Sequence, residues 1–283
     1  MNYLDFGQMI TGKYGRRYLV RGLIYQNSYI QIYEASEAGK FYLAVIVPKA
    51  TLRIKIEFVE PLVDVPIKSK EFFCPNDVFN IETKDRKLFG YMTEYDSTYK
   101  PVDNFTKYTM EQKLKIGYGI CKSFSKLHLN GMVCNEVPII FVKDDLTVKL
   151  LLIPFPEGAK FSKVDVIGIP GITAPELFAV AALRMSNVST DRFLLSAMLF
   201  QELVGKYPFV ETNNENLAYL KFIGLDADEV MLEKFGHSVV SSWRALGEDL
   251  QLMFKRAFRE GVSNIDMRYN PDDWAMKLQD FFK

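Results

Sequence analysis

The stretch KLHLNGMVCNEVPIIFVKDDLTVKLLLIP, residues 126–154, joins the end of a long helix to two short strands. A helical spacing runs from Met110 into the start of this stretch, at Met110, Leu114, Gly117, Cys121, Phe124 and His128. Asn130-Gly131 favours a left-handed backbone conformation, which ends this helix. Ile139–Val142 and Val148–Ile153 then read as strands around the turn Lys143-Asp144-Asp145-Leu146. The stretch predicts a long helix that leads into a β-hairpin.

Before Tyr99 the chain consists of runs rich in β-branched and aromatic residues. These runs are Tyr18–Tyr25, Tyr29–Ala35, Phe41–Val47, Leu52–Phe58, Val78–Glu82 and Leu88–Tyr95. Turn-forming segments such as Glu37-Ala38-Gly39-Lys40 and Lys84-Asp85-Arg86-Lys87 separate them. The pattern predicts an antiparallel meander.

After the hairpin, helical patterns dominate. One helix is predicted over Thr190–Val204, capped by Thr190 or Ser189 and ended by Gly205. A second spans Ser241–Glu260, with one apolar stripe formed by Trp243, Leu246, Leu250, Met253, Ala257 and Phe258. The last begins at Asn270-Pro271, with Asp272 and Asp273 favouring the helix dipole. It is expected to bury Trp274, Leu278 and Phe281.

A small β-rich unit followed by a larger helical unit indicates two lobes with a cleft between them. We place the lobes at residues 1–97 and 98–283 and expect them to meet near Asp96–Lys100. The predicted class is α+β, with an antiparallel β-rich N-lobe and a mostly helical C-lobe.

Composition is that of an ordinary globular protein of 283 residues, 48% hydrophobic and 25% charged. Lys+Arg and Asp+Glu both number 35, so the charge balance favours neither nucleic acid nor a membrane surface as partner. Cys74, Cys121 and Cys134 have no metal-ligand spacing and read as reduced, largely buried thiols. We expect a cytoplasmic protein, because the chain shows neither a signal peptide nor a membrane-length apolar run.

In order and spacing, several segments resemble the protein kinase superfamily over nearly the whole chain. Leu127–Val133 looks like the approach to the catalytic loop, and Val148-Lys149-Leu150 like the V-K-L before D-F-G. Ala174-Pro175-Glu176 matches A-P-E, and Gly205–Phe209 is similar to G-x-x-P-F. The resemblance implies a protein-kinase-like bilobal fold. The Thr190–Phe193 segment is also similar, more weakly, to bacterial kinases of stress and tellurite-resistance loci.

The resemblance implies that the scaffold is kept. Asp191 matches the family's buried Asp, which receives backbone N–H groups from the catalytic loop; the alternative is a simple helix cap. Glu176 and Arg268 match a buried ion pair of the C-lobe. Cys134 and Ile153 stand at two positions of the family's hydrophobic spine.

The charged groups of the N-lobe site are missing. Phosphoryl transfer needs a Lys on the phosphates and carboxylate and amide ligands for magnesium. Tyr25, Asn27 and Ile30 stand at the three glycine positions of the phosphate loop, which predicts an ordinary hairpin. Ile46 stands at the Lys position, and Lys49 is a weak substitute. Glu57 and Glu60 are weak candidates for its Glu partner, because Leu52–Phe58 reads as a strand.

The catalytic and metal positions are also altered. H-R-D becomes Cys134-Asn135-Glu136, in which Glu136 is a weak candidate base one methylene longer than Asp. D-F-G becomes Leu152-Ile153-Pro154, so magnesium loses its chief ligand. We therefore expect no catalytic set and no metal site.

A vestigial adenine pocket remains a hypothesis. Ile32 and Ala44 would form its ceiling, Thr93 its gatekeeper, and the backbone at Glu94 and Asp96 its hydrogen bonds. The alternative is a cleft filled by Tyr25 and Tyr29. No cofactor is expected. The resemblance leaves open that ATP binds without magnesium.

Together these features indicate a pseudokinase, a signalling module that binds a protein partner rather than transferring phosphate. An atypical phosphotransferase that uses Glu136 and a relocated cation is the alternative. A small-molecule kinase of the aminoglycoside type is disfavoured, because it also needs the magnesium Asp.

Overall fold

The computed structural model describes residues 2–27, 30–48, 56–64, 69–82, 87–134, 137–153, 155–157, 160–161, 172–178, 184–185, 187–209 and 236–282. Its contacts divide the chain into two compact units. Met1–Pro101 with Ile139–Ile153 form the first, and Val102–Pro138 with Pro154–Lys283 form the second. The predicted boundary between residues 97 and 98 stays a prediction.

The first unit is built on a six-stranded sheet whose neighbouring strands are all antiparallel. Its strands are β1 (Met9–Thr11), β2 (Arg17–Gln26), β3 (Gln31–Glu37), β4 (Lys40–Pro48), β6 (Pro75–Glu82) and β7 (Lys87–Glu94), in the order β1-β2-β3-β4-β7-β6. Ala38 and Gly39, at φ 48° and 82°, make the tight turn between β3 and β4. The predicted antiparallel sheet is confirmed, but it is a meander only from β1 to β4, because β4 pairs with β7 and β6 lies beyond β7.

A helix begins at Ile56, within the strand predicted over Leu52–Phe58. Residues 51–55 lie outside the described residues, and α1 (Ile56–Asp64) follows them. Its buried residues Val59 and Leu62 are spaced for a helix, although the apolar alternation before them has the period of a strand. The strand prediction is therefore wrong for Ile56–Phe58, because the helical spacing becomes clear only further along the chain, at Val59 and Leu62.

A second sheet of the first unit has four short strands. They are β5 (Phe72–Phe73), β8 (Lys100–Pro101), β10 (Ile139–Val142) and β11 (Val148–Leu151), in the order β5-β11-β10-β8. The Phe73 ring meets the rings of Tyr95, Tyr99 and Phe141 at centroid distances of 6.2, 5.9 and 4.9 Å. This aromatic cluster fixes the segment after β7 against the hairpin.

Helix α2 (Met110–Leu129) opens the second unit with a capping box between Thr109 and Gln112. Its chain leaves the helix through Gly131 at φ 66°, as the Asn-Gly stop predicted. Short strand pairs follow: β9 (Met132–Val133) with β12 (Phe155–Pro156), and β13 (Lys160–Phe161) with β14 (Arg184–Met185).

Helix α3 (Val188–Val204) begins two residues earlier than predicted. Its cap is Asn187, in a capping box with Thr190, and not Thr190 or Ser189. Asn187 satisfies the Thr190 N–H, which leaves both predicted caps inside the first turn. Gly205 ends the helix at φ 88°, as predicted.

The predicted helix Ser241–Glu260 is interrupted. Gly247, at φ 73°, separates α4 (His237–Ala245) from α5 (Gly247–Lys255), and a π-helical turn, Arg256–Glu260, continues α5. The predicted apolar stripe is nevertheless buried throughout. In α6 (Pro271–Gln279), capped by Asn270, Trp274 and Leu278 are buried, but Phe281 is 42% exposed because it follows the end of the helix.

Glu202 of α3 is a buried carboxylate facing α2. A Cβ on Gly117 would lie 3.3 Å from its Oε2, so glycine makes room for it. Within the described part of the chain neither carboxylate oxygen has a hydrogen-bond partner. Burial raises the pKa of Glu202 well above its usual value, and nearby Lys113 acts in the opposite direction. This core therefore favours the neutral acid.

Candidate functional site

The β2–β3 hairpin occupies the position of a phosphate loop. The Asn27 N–H donates to the Ile30 carbonyl at 3.0 Å, and the Ile30 N–H donates to Asn27 Oδ1 at 2.9 Å. Tyr25 lies opposite Ile32 in the strand pair. Both N–H groups are thus engaged within the hairpin, as expected of a closed turn; Tyr29 lies outside the described residues.

Strand register tests the predicted adenine ceiling. Ile32 lies opposite Val45, and Tyr33 lies opposite Ala44. Directly opposed residues share a face of a sheet, and successive residues alternate. Ile32 and Ala44 therefore lie on opposite faces, and the prediction that they line one pocket together is wrong. Ala44 instead belongs to the core cluster of Tyr33 and Met92.

The same register determines which residues can stand at the position expected for the phosphate-binding Lys. Leu43 and Val45 share the face of Ile32, and Thr93 lies there too, opposite Leu43. Ile46 lies on the opposite face, with Ala44, so the Lys position falls on Val45 if it shares the face of Ile32 and on Ile46 if it shares the face of Ala44. Both side chains are apolar and buried, and neither alternative supplies a cation. Lys49 lies outside the described residues.

Of the two candidate Glu partners, Glu60 is bound elsewhere. Its carboxylate lies 3.1 Å from Lys13 Nζ, and both side chains are partly exposed. One turn further along α1, Asp64 accepts a 2.8 Å hydrogen bond from the Tyr14 hydroxyl. The β1–β2 loop thus tethers α1 at two points, while the Glu57 side chain lies outside the described residues.

The end of β7 and the residues after it, where the backbone at Glu94 and Asp96 is predicted to bind adenine, are fixed by contacts of their own. The Tyr95 N–H donates to the Phe41 carbonyl at 2.9 Å, and the Glu94 N–H donates to Asn76 Oδ1 at 2.7 Å. Asp96 lies 2.8 Å from Lys143 Nζ. The Lys143 ammonium, followed by the Thr98 hydroxyl, holds the pKa of Asp96 well below its usual range. The roles of Thr93, Glu94 and Asp96 toward a nucleotide stay predictions.

Asp191 organises the start of the catalytic-loop position. Its side chain is fully buried, and its Oδ2 accepts the Cys134 N–H at 2.7 Å. His128 Nε2 lies 3.0 Å from the same oxygen. The predicted role of Asp191 is confirmed, and the cap alternative is wrong because Asn187 is the cap. Sequence reasoning treated His128 as a core position and missed this contact. Asn135 and Glu136 lie outside the described residues.

The D-F-G position is apolar in the structure as in the sequence. Leu152 and Ile153 are 7% and 6% exposed, and Cys134, the other predicted spine residue, is 1% exposed. Pro154 lies outside the described residues. Among the residues that the structure describes, no three His, Cys, Asp or Glu side chains gather as metal ligands would.

Arg268 and Glu176 form the predicted ion pair. Nη1 and Nη2 of Arg268 donate to the two carboxylate oxygens at 2.6 and 2.9 Å. Arg268 also donates to the carbonyls of Gly261 at 2.7 Å and Ser189 at 2.9 Å, and its guanidinium lies 5.1 Å from the Phe193 ring centroid. The Arg268 side chain is fully buried and that of Glu176 is 33% exposed. Arg268 thus links Glu176 of the A-P-E segment to the backbone at Ser189 and Gly261 of the second unit.

Comparisons with known proteins agree with this architecture. No family model and no curated protein matches the chain. Among solved structures, a double mutant of the PknI kinase domain of Mycobacterium tuberculosis aligns with a TM-score of 0.59 at 15% identity, over 99% of both chains. A Rad53 fragment in complex with AMP-PNP aligns with a TM-score of 0.63 at 14% identity, over 94% of this chain and 65% of that one. The autoinhibited serine kinase domain of titin aligns with a TM-score of 0.59 at 12% identity, over 96% and 82%.

The chain therefore has the fold of protein kinase domains, an antiparallel β-sheet region followed by a helical region. At these identities the likeness concerns the fold alone. In the part of the chain that the structure describes, no helix is long and apolar enough to cross a membrane.

Proposed function

We propose that this protein is a pseudokinase, a kinase-shaped module that binds a protein partner and does not transfer phosphate. The observation that carries the proposal is the apolar D-F-G position, where Leu152 and Ile153 are buried. In kinases this position supplies the carboxylate that holds magnesium, and catalysis depends on that charge. A buried Leu at this place offers neither a ligand nor a negative charge.

The Lys position supports the same proposal. Val45 and Ile46, its two candidates, are buried and apolar. A triphosphate bound nearby would lack the ammonium that neutralises it, as well as its metal. Adenine binding without magnesium is compatible with this proposal, whereas phosphoryl transfer is not.

The retained scaffold supports binding as the function. Asp191 and the Arg268–Glu176 pair keep the backbone of the helical unit in place although the charges of the reaction are gone. An ion pair with a fully buried partner, such as Arg268, fixes geometry more than it adds stability. A kinase-like scaffold that is kept without the catalytic charges is suited to binding a protein partner in a signalling pathway.

We expect no magnesium-dependent stabilisation by ATP. A ligand that binds the folded state stabilises it by RT ln(1 + [L]/Kd), about 1 kcal/mol at a modest excess over Kd, and this shifts the melting temperature. The measurement is a thermal-shift series with millimolar ATP, with and without magnesium, and with magnesium alone as the control. A clear rise that requires both ATP and magnesium would refute the proposal.

The alternative function is an atypical phosphotransferase. It is favoured by Glu136, which keeps a carboxylate at the position of the catalytic Asp. Such an enzyme needs a relocated cation. It therefore requires the stabilisation by ATP plus magnesium that the pseudokinase proposal expects to be absent.

A further inference from the structure

A depression of about 350 Å³ lies in the first unit, between the start of β4 and the segment after β7. Its lining residues are Lys40, Phe41, Glu94, Tyr95, Asp96 and Lys149. This volume is at the lower end of the range found for small-molecule sites. Aromatic side chains and charges of both signs share its wall.

The acidic groups of this depression already have cationic partners. Glu94 lies 3.7 Å from Lys40 Nζ, and Asp96 lies 2.8 Å from Lys143 Nζ. Lys149, by contrast, has no carboxylate within ion-pair distance among the residues that the structure describes. The charges of the lining residues balance, with two lysines and two carboxylates, but Lys149 is the lining cation without an ion-pair partner among the described residues.

Lys149 is held on aromatic faces. Its Nζ lies 4.5 Å from the ring centroid of Phe73 and 5.9 Å from that of Tyr99. Ring faces attract an ammonium but do not neutralise it. The Phe73 ring is itself fixed by Phe141, whose backbone lies opposite Lys149 in the β10–β11 pair.

Partial burial adds to this arrangement. It lowers the pKa of Lys149, because the charged ammonium loses hydration, and the more distant Cys74, Asp96 and Glu94 oppose this effect without cancelling it. An anion at this point would restore the lost stabilisation. The site needs no nucleotide and does not depend on the proposed function.

We propose that this depression binds a small organic anion, a carboxylate or a phosphate monoester, through the Lys149 ammonium. The Phe41 and Tyr95 side chains form the adjacent wall, against which an apolar body of the ligand packs. The anionic group is the determinant, so a neutral analogue of the same shape is excluded.

Benzoate and phenyl phosphate are the probes, with benzamide as the neutral analogue. Binding is measured by calorimetry or by chemical-shift titration of the wild type and of Lys149→Met, which keeps the stem over the rings. The control is Lys143→Met, because Lys143 also lies over the Tyr99 ring, at 4.6 Å, but is paired with Asp96. A charge-assisted contact is strong enough that its loss is expected to weaken binding by about tenfold or more.

A second measurement uses the wild-type protein alone. Trinitrobenzenesulfonate reacts with unprotonated amines, and peptide mapping reports each lysine separately. We expect Lys149 to react faster than Lys143 and to be protected by benzoate or phenyl phosphate but not by benzamide. Protection by one of the two anions identifies the preferred group. Equal binding of benzamide, equal weakening in both variants, or no protection of Lys149 by either anion would overturn the proposal.

Discussion

Replacing Arg268 with alanine is expected to lower the free energy of unfolding by about 3 to 5 kcal/mol. The side chain is fully buried and makes both hydrogen bonds to Glu176, together with those to the Gly261 and Ser189 carbonyls. Its removal leaves these acceptors without their donor and opens a cavity beside Phe193. Equilibrium unfolding in urea measures the loss.

Four further variants make this result specific. Arg268→Lys keeps the charge but cannot reproduce the two-pronged contact, so we expect an intermediate loss. Glu176→Ala leaves the buried guanidinium uncompensated, and the double variant should lose less than the sum of the single losses. Glu136→Gln, at the altered catalytic position, should change stability by less than about 0.5 kcal/mol. An Arg268→Ala protein that unfolds like the wild type would show that the ion pair is not structural.

Asp191→Ala is expected to cost about 3 kcal/mol, because hydrogen bonds to a charged group are each worth about 1.5 to 3 kcal/mol and two are lost. The Cys134 N–H and His128 both meet the buried Asp191 Oδ2, at 2.7 and 3.0 Å. With alanine the Cys134 N–H, on a buried residue, loses this acceptor. Urea unfolding again supplies the measurement.

Asp191→Asn is the matched variant for this position. The amide keeps one acceptor oxygen of nearly the same shape, so its loss should be clearly smaller than that of Asp191→Ala. If the two variants were equally and only slightly destabilised, Asp191 would not hold the catalytic-loop position in place.

The order of elements could be predicted because each signal was local and strong. The apolar spacing of α2, the Asn130-Gly131 stop and the β10–β11 hairpin all lie within one continuous stretch. The Arg268–Glu176 pair, 92 residues apart, followed from the resemblance, since no local pattern connects residues at such a distance.

Strand facing could not be predicted in the same way. Every residue of β4 from Tyr42 to Val47 is buried, so burial on both faces removes the alternation that would assign Ala44 or Val45 to one side. The pairing of β4 with β3 shows which residues share a face, and the sequence pattern alone does not. For α1 the obstacle was different, because a short apolar run has strand-like and helical spacings side by side.

The contacts of Lys149 and His128 could not be predicted from the sequence for a further reason. Each depends on residues brought together by the fold: Phe73 and Tyr99 for Lys149, and Asp191 for His128. In the sequence, Lys149 belongs to the Val148–Leu150 segment that resembles V-K-L, and His128 is one position of the helical spacing of α2. Neither pattern carries information about a partner far along the chain.

The most direct test of the absence of phosphoryl transfer is a phosphotransfer measurement with γ-labelled ATP. Wild-type protein and Glu136→Gln are incubated with magnesium or manganese and with casein as a generic acceptor, and label is counted on both proteins. We predict that neither sample exceeds a reaction without the protein, because the D-F-G and Lys positions carry Leu152 and Val45 or Ile46. Transfer by the wild type that Glu136→Gln abolishes would contradict this account and establish the phosphotransferase in its place.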